Sequence, residues 1–170
     1  MNIVAIIPAR YGSTRFPGKP LALVGGVTMI ERVVRRVEGA KVVDRVVVAT
    51  DDQRIEAAVK KFGGEVIMTP VDCPNGTFRC QAVIAHLDPK PDAILNVQGD
   101  EPLISPLHID KVIDFHKKNY KADIILPNLQ IDAVNNTNIV KLVTNKINDV
   151  LYISRASIPY EFRNKIKKIK

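Results

Sequence analysis

The sequence predicts an α/β fold, a doubly wound and mostly parallel sheet with helices on both faces. Three observations carry that reading. Four short apolar runs rich in β-branched residues lack strict alternation, as strands covered on both faces do. Amphipathic stretches of helical length separate them. The resulting strand–helix–strand repetition requires right-handed crossovers in one sheet.

The strand runs are "NIVAII" (2–7), "DRVVVAT" (44–50), "GEVIMT" (64–69) and "DAILNVQ" (92–98). Between the first two, "TMIERVVRRVEGA" (28–40) places Met29, Val33, Val34 and Val37 on one helical face and its arginines elsewhere. "DDQRIEAAVKKFGG" (51–64) opens on an aspartate suited to N-capping and closes on glycines suited to a C-cap. "TFRCQAVIAHL" (77–87) and "SPLHIDKVIDFHKKN" (105–119) read as further helices, the second with Ser105 as cap and Pro106 in the first turn. After residue 120 the pattern loosens, and "ADIILPNLQ", "NIVKLVT" and "DVLYIS" read as strands joined by short turns.

Composition narrows the function classes. A chain of 170 residues with 46% hydrophobic and 5% aromatic residues suits one domain of ordinary size. No apolar run approaches the roughly 18 residues of a membrane span, and no leader pattern precedes the first strand, so a cytoplasmic protein without membrane partners is expected. Cys73 and Cys80 are the only cysteines and lie outside any His-Cys cluster, which favours two reduced thiols over zinc. The net charge is +7, but "EFRNKIKKIK" (161–170) holds five cations against one anion and so supplies four of the seven charges. The rest has no basic stripe interleaved with aromatics, and nucleic acid is not an expected partner. The expected organisation is one domain over residues 1–160 followed by a basic tail over 161–170.

Two loops carry the chemistry. "PARYGSTRFPGKP" (8–20) sets Arg10, Arg15 and Lys19 among glycines and prolines at the end of the first strand. Cations beside backbone N–H groups that glycine leaves accessible suit a polyanion such as a triphosphate. The loop is neither a dinucleotide fingerprint nor a Walker A loop, because Gly12 and Gly18 have the wrong spacing and Pro20 stands where a hydroxyl would hold magnesium. "NVQGDEP" (96–102) places Asp100 just past the fourth strand, suited to a hard cation with oxygen ligands such as Mg2+. In a doubly wound sheet both loops lie beyond carboxyl ends of strands, where ligands bind. Alone, Asp100 would read as a turn residue. Asp51 and Asp52 read as helix caps, and His86, His108 and His116 have no partners at metal spacing.

"IIPARYGSTRFPGKPL", "ATDD", "NVQGDEPLI", "NIVKLV" and "YISRASIPY", in that order, make residues 2–160 resemble the 3-deoxy-manno-octulosonate cytidylyltransferases, or CMP-Kdo synthetases. The resemblance implies a nucleotide-diphospho-sugar transferase-like fold. It also implies transfer of CMP from CTP to Kdo, with release of pyrophosphate, for lipopolysaccharide synthesis. Arg10, Arg15 and Lys19 match the family's triphosphate-binding cations, Asp100 a magnesium ligand, and Gln98 a position near the bound substrates. Arg10, Lys19 and Asp100 are thereby the expected catalytic residues. In "CPNGTFR" (73–79), Arg79 is implied to act at the nucleotide base, with Gly76 and Thr77 shaping the turn. Lys141 fits the pattern as well, and a strand-edge role suits it equally. The implied partners are CTP and Kdo, and a homodimer stays open.

The match has two breaks. Asn75 replaces the family's usual serine, and Phe78 stands where an acidic residue is usual; a carboxylate there would cap the helix or orient Arg79. The chain also leaves the pattern after Tyr160, so the resemblance implies a shortened member lacking the usual C-terminal part. Two alternatives follow, a non-catalytic nucleotide-binding remnant and a cytidylyltransferase for another acidic sugar.

Overall fold

The first apolar run forms β1, Ile3–Ala9, and every residue but one in it is buried. In this computed structural model, which describes residues 1–12, 16–130 and 136–158, β1 lies inside a parallel sheet. A glycine-turned hairpin of β2, Leu23–Val24, and β3, Val27–Thr28, follows it and leads into α1, Met29–Glu38. Then come β4, Arg45–Thr50; α2, Gln53–Lys61; β5, Glu65–Met68; α3, Gly76–Ile84; β6, Ala93–Asn96; and α4, Pro106–Lys118. The sheet order is β5-β4-β1-β6, with Ile6 facing Val47 on one side and Asn96 on the other. The expected doubly wound parallel arrangement is present.

Alternation along β1 divides the core in two. Ile3, Ala5 and Ile7 pack with Val33 and Val37 of α1, Ile55 and Val59 of α2, and Ile109 and Ile113 of α4. Val4 and Ile6 point the other way, against Cys80 and Val83 of α3. Three helices thus cover one face and one covers the other, which explains why β1 reads as an unbroken apolar run. Each fully buried aliphatic side chain here contributes about 1.5–3 kcal/mol.

The expected cap at Asp52 is present and the one at Ser105 is not, while Thr28 and Asn75 cap helices without having been expected to. Thr28, Asp52 and Asn75 accept from Glu31 N, Arg54 N and Phe78 N at the starts of α1, α2 and α3. Ser105 occupies the corresponding position before α4, but its side chain makes no capping bond. Pro106 at the first helical position supplies a fixed φ suited to the helix start, and the Ser105 carbonyl accepts from His108 N and Ile109 N. The β2–β3 hairpin was not expected. Its turn is Gly25-Gly26, with φ of 58° and 79°, and Arg32 of α1 donates to the carbonyls of Val24 and Gly25.

Residues divide into two compact units, Met1–Ile125 and Leu126–Lys170. The second contains an antiparallel hairpin of β7, Lys141–Thr144, and β8, Val150–Ser154. Its turn is closed by Asn145, whose side-chain oxygen accepts from the backbone N–H of Ile147 and Asp149. The expected strand in "ADIILPNLQ" is absent: residues 122–130 contain no strand. Apolar β-formers do not make a strand without a neighbouring ladder. The expected basic tail, 161–170, lies outside the described residues. Among the described residues no helix is long and apolar enough to cross a membrane.

Candidate functional site

Beyond β1 the chain continues toward the basic loop, and on its two sides lie β4 and β6. The crossovers after β1 build outward through β4 and β5, and the chain then returns to place β6 on the opposite side. The carboxyl ends of β1 and β6 therefore flank the topological switch point. A cavity of about 300 Å³ opens there, walled by the end of β1, the start of α3, the segment after β6, and the turn at Lys19.

Close backbone approach makes the cavity. A Cβ at Gly99 would lie 2.9 Å from the Pro8 carbonyl oxygen, so only glycine lets the segment after β6 come this near to β1. Gly18 adopts φ 70° ahead of a short 3-10 turn, Lys19–Leu21, and donates its N–H to the Tyr11 carbonyl at 2.9 Å. This crossing of the chain brings Lys19 to the same cavity that Arg10 lines.

Lys19 Nζ lies 2.6 Å from Asp100 Oδ2. The expected triphosphate cation and the expected metal ligand thus meet directly, from sequence positions 81 residues apart. Arg10 is exposed and makes no ion pair among the described residues. Gln98 is exposed in the same wall, its Nε2 donating to Asn96 Oδ1 at 3.3 Å. Gly76 opens α3 at the cavity, and the helix's first N–H groups are a natural place for an anionic oxygen. Thr77 is exposed one residue further along and does not line the cavity. Arg15 lies outside the described residues.

Arg79 touches the cavity, but its guanidinium is committed elsewhere. Nη2 donates to Asp51 Oδ2 at 2.7 Å and Nη1 to Thr69 Oγ1, and the side chain is 4% exposed. Asp51, expected as a helix cap, is the partner that orients Arg79, while Asp52 does the capping. This arrangement accounts for the departures at Asn75 and Phe78. Asn75 caps α3, Asp51 holds Arg79, and Phe78 is left half exposed with no polar task. The signal for Asp51 was present: it stands just past β4 as Asp100 stands just past β6. Cys73 was also missed as a wall residue.

Both cysteines are free thiols, as expected. Burial pushes the Cys80 thiol up to about 11, so it stays protonated at neutral pH. The Arg54 side-chain hydrogen bond holds the Asp52 carboxyl below its ordinary value. Lys141 donates to the backbone carbonyls of Asn136, Ile139 and Arg155, which secures the second unit's hairpin.

Among the described residues no cluster of three or more His, Cys, Asp or Glu side chains could hold a metal. Asp100 offers a half-exposed carboxylate at the cavity, a donor of the right kind for a hard divalent cation. Its carboxylate would suit such an ion as a single protein ligand.

A model of the cytidylyltransferase family matches residues 4–169. The chain belongs to that family. The 3-deoxy-manno-octulosonate cytidylyltransferase of Maricaulis maris is 44% identical over 94% of this chain. The 8-amino-3,8-dideoxy-manno-octulosonate cytidylyltransferase of Shewanella baltica is 43% identical over the same share. The chain spans 66% of the first protein's length and 67% of the second's. Among solved structures, CMP:2-keto-3-deoxy-manno-octonic acid synthetase complexed with CTP superposes with a TM-score of 0.81 at 37% identity, covering 96% of this chain and 68% of that one. The cytidylyltransferase fold expected from the sequence is therefore the fold observed.

Proposed function

We propose that the cavity between β1 and β6 binds CTP and serves transfer of its cytidylyl group to Kdo, giving CMP-Kdo and pyrophosphate. The observation that carries this is the meeting of Arg10, Lys19 and Asp100 around one glycine-shaped cavity at the switch point. The similarity to a synthetase solved with CTP supports the choice of nucleotide.

In this reading Arg10, Lys19 and Arg15 neutralise the triphosphate, and the α3 N-terminus and Gln98 help to seat the bound substrates. Asp100 would hold a magnesium ion, which supplies charge neutralisation on the phosphates. The sugar hydroxyl attacks the α-phosphorus, and its oxygen–phosphorus bond forms as the bond to the β-phosphate bridging oxygen breaks. Pyrophosphate leaves with that oxygen, and the hydroxyl proton is released. The residues act by positioning and electrostatics, without a covalent intermediate. Arg79 supports the wall through Asp51 and shapes the base side of the cavity from beneath. A cytoplasmic setting is in keeping with the free thiols of Cys73 and Cys80.

The similarity to a protein named for the 8-amino sugar gives a specific second reading, with that sugar as acceptor. The test is pyrophosphate release from CTP and magnesium with Kdo, with the 8-amino analogue, and with neither. Release that requires Kdo supports the proposal, and release that requires the analogue replaces it. CTP binding without release under any condition would make the chain a non-catalytic nucleotide-binding protein.

A further inference from the structure

Outside the cavity, Arg54 of α2 stacks on Tyr11, with the guanidinium carbon 3.3 Å from the ring centroid. Asp52 holds this guanidinium in place, with Nε to Oδ1 at 3.0 Å and Nη2 to Oδ2 at 2.6 Å. Asp52 is itself anchored as the cap of α2, whose Ile55 and Val59 lie in the core. The platform beneath Tyr11 is therefore fixed to the body of the domain. Tyr11 also abuts Gly18: a Cβ there would meet the tyrosine's Cε2 at 2.9 Å and its Cζ at 3.0 Å. The Gly18 N–H closes on the Tyr11 carbonyl. Arg10 immediately precedes Tyr11, and Lys19 immediately follows Gly18. Whatever fixes the Tyr11–Gly18 crossing therefore fixes the spacing of the two cations on the cavity wall.

We propose that Arg54 is a positioning residue for polyanion binding: acting through Tyr11, it holds Arg10 and Lys19 at the spacing that receives a chain of phosphates. The inference rests on the proposed reading of the cavity as a triphosphate site. Neither Arg54 nor Tyr11 lines the cavity, so their effect on a ligand passes through the flanking Arg10 and Lys19, which do. The planar guanidinium matters as well as its charge, because an ammonium cannot lie flat on the ring and keep two bonds to Asp52. Cations held in advance lose less freedom on binding, and that difference appears as affinity.

The experiment is calorimetric titration of the full chain with inorganic triphosphate and with CTP, alongside thermal melting. Arg54→Ala leaves the backbone N–H that Asp52 caps, so α2 should remain and the melting midpoint should change little. Affinity for both ligands should fall about fivefold, the scale of one exposed cation–π contact. Arg54→Lys should fall comparably although charge is retained, and Tyr11→Phe should bind like the unaltered chain. Tyr11→Ala should reproduce the loss, and the double variant should lose no more than either single one. Wild-type-like binding by Arg54→Lys would make the effect one of charge alone and overturn the proposal, as would additive losses. A chain that binds inorganic triphosphate but not CTP would remove the proposed function and leave this inference intact; one that binds neither would remove both.

Discussion

Asp100→Asn should have opposite effects on nucleotide binding with and without magnesium. The Lys19–Asp100 contact is short at 2.6 Å, but the two side chains are 36% and 49% exposed. Ion pairs so exposed contribute about 0–1 kcal/mol, so the substitution should barely change the melting midpoint. Its larger effect is on the cavity. Without metal, a triphosphate must draw Lys19 from Asp100 and also accept the carboxylate as a neighbouring like charge. Asparagine removes both obstacles, and metal-free CTP should bind up to about fivefold tighter, the factor equivalent to 1 kcal/mol. With magnesium, Asp100 has the cation to hold and Lys19 is released to the phosphates, so the unaltered chain should gain affinity and Asp100→Asn should gain far less. Calorimetry in chelator and in excess magnesium reads both arms. If Asp100→Asn binds no tighter in chelator and gains as much from magnesium, the pair is a surface contact and the reasoning fails.

Other outcomes follow from the surrounding structure. Arg79→Ala should cost about 3–5 kcal/mol in denaturant unfolding, because it strands Asp51 in a largely buried pair; a loss below about 1 kcal/mol would free Arg79 for a role in binding. Gly99→Ala should cost about 1–3 kcal/mol and weaken CTP binding, since its Cβ meets the Pro8 carbonyl and displaces the turn carrying Asp100; unchanged melting and affinity would refute the close approach. Thiol alkylation near neutral pH should modify Cys73 and spare Cys80, and bound CTP should protect Cys73 in the cavity wall. The Cys80 thiol is raised in the fold, so the unfolded chain loses that proton first as pH rises. Stability should therefore fall between 9.0, the ordinary thiol value, and about 11, and Cys80→Ala should lack that component.

The elements legible in the sequence are those whose cause is local. β1 reads as buried on both faces because helices cover both, and Asp52 caps α2 from within the same few residues. What was not legible depends on pairing across the chain. Residues 122–130 have the composition of a strand and no ladder to join. The Asp51–Arg79 pair spans two elements, α3 and the segment after β4, that only the sheet order brings together. The Gly25-Gly26 turn was a visible hairpin signal, but strands of two residues offer no periodicity to support it. At the site, residue types pointed to Arg10, Lys19 and Asp100 at strand ends. That Lys19 reaches Asp100 follows from β6 lying beside β1, a fact of topology.

The central claim is that this cavity is the nucleotide site, and the most direct measurement is CTP affinity, with magnesium, in the unaltered chain and in Lys19→Ala. Charge-assisted hydrogen bonds contribute about 1.5–3 kcal/mol, so removing Lys19 should weaken binding by one to two orders of magnitude while the melting midpoint stays nearly constant. Equal affinity in the two proteins would place CTP elsewhere and contradict the account.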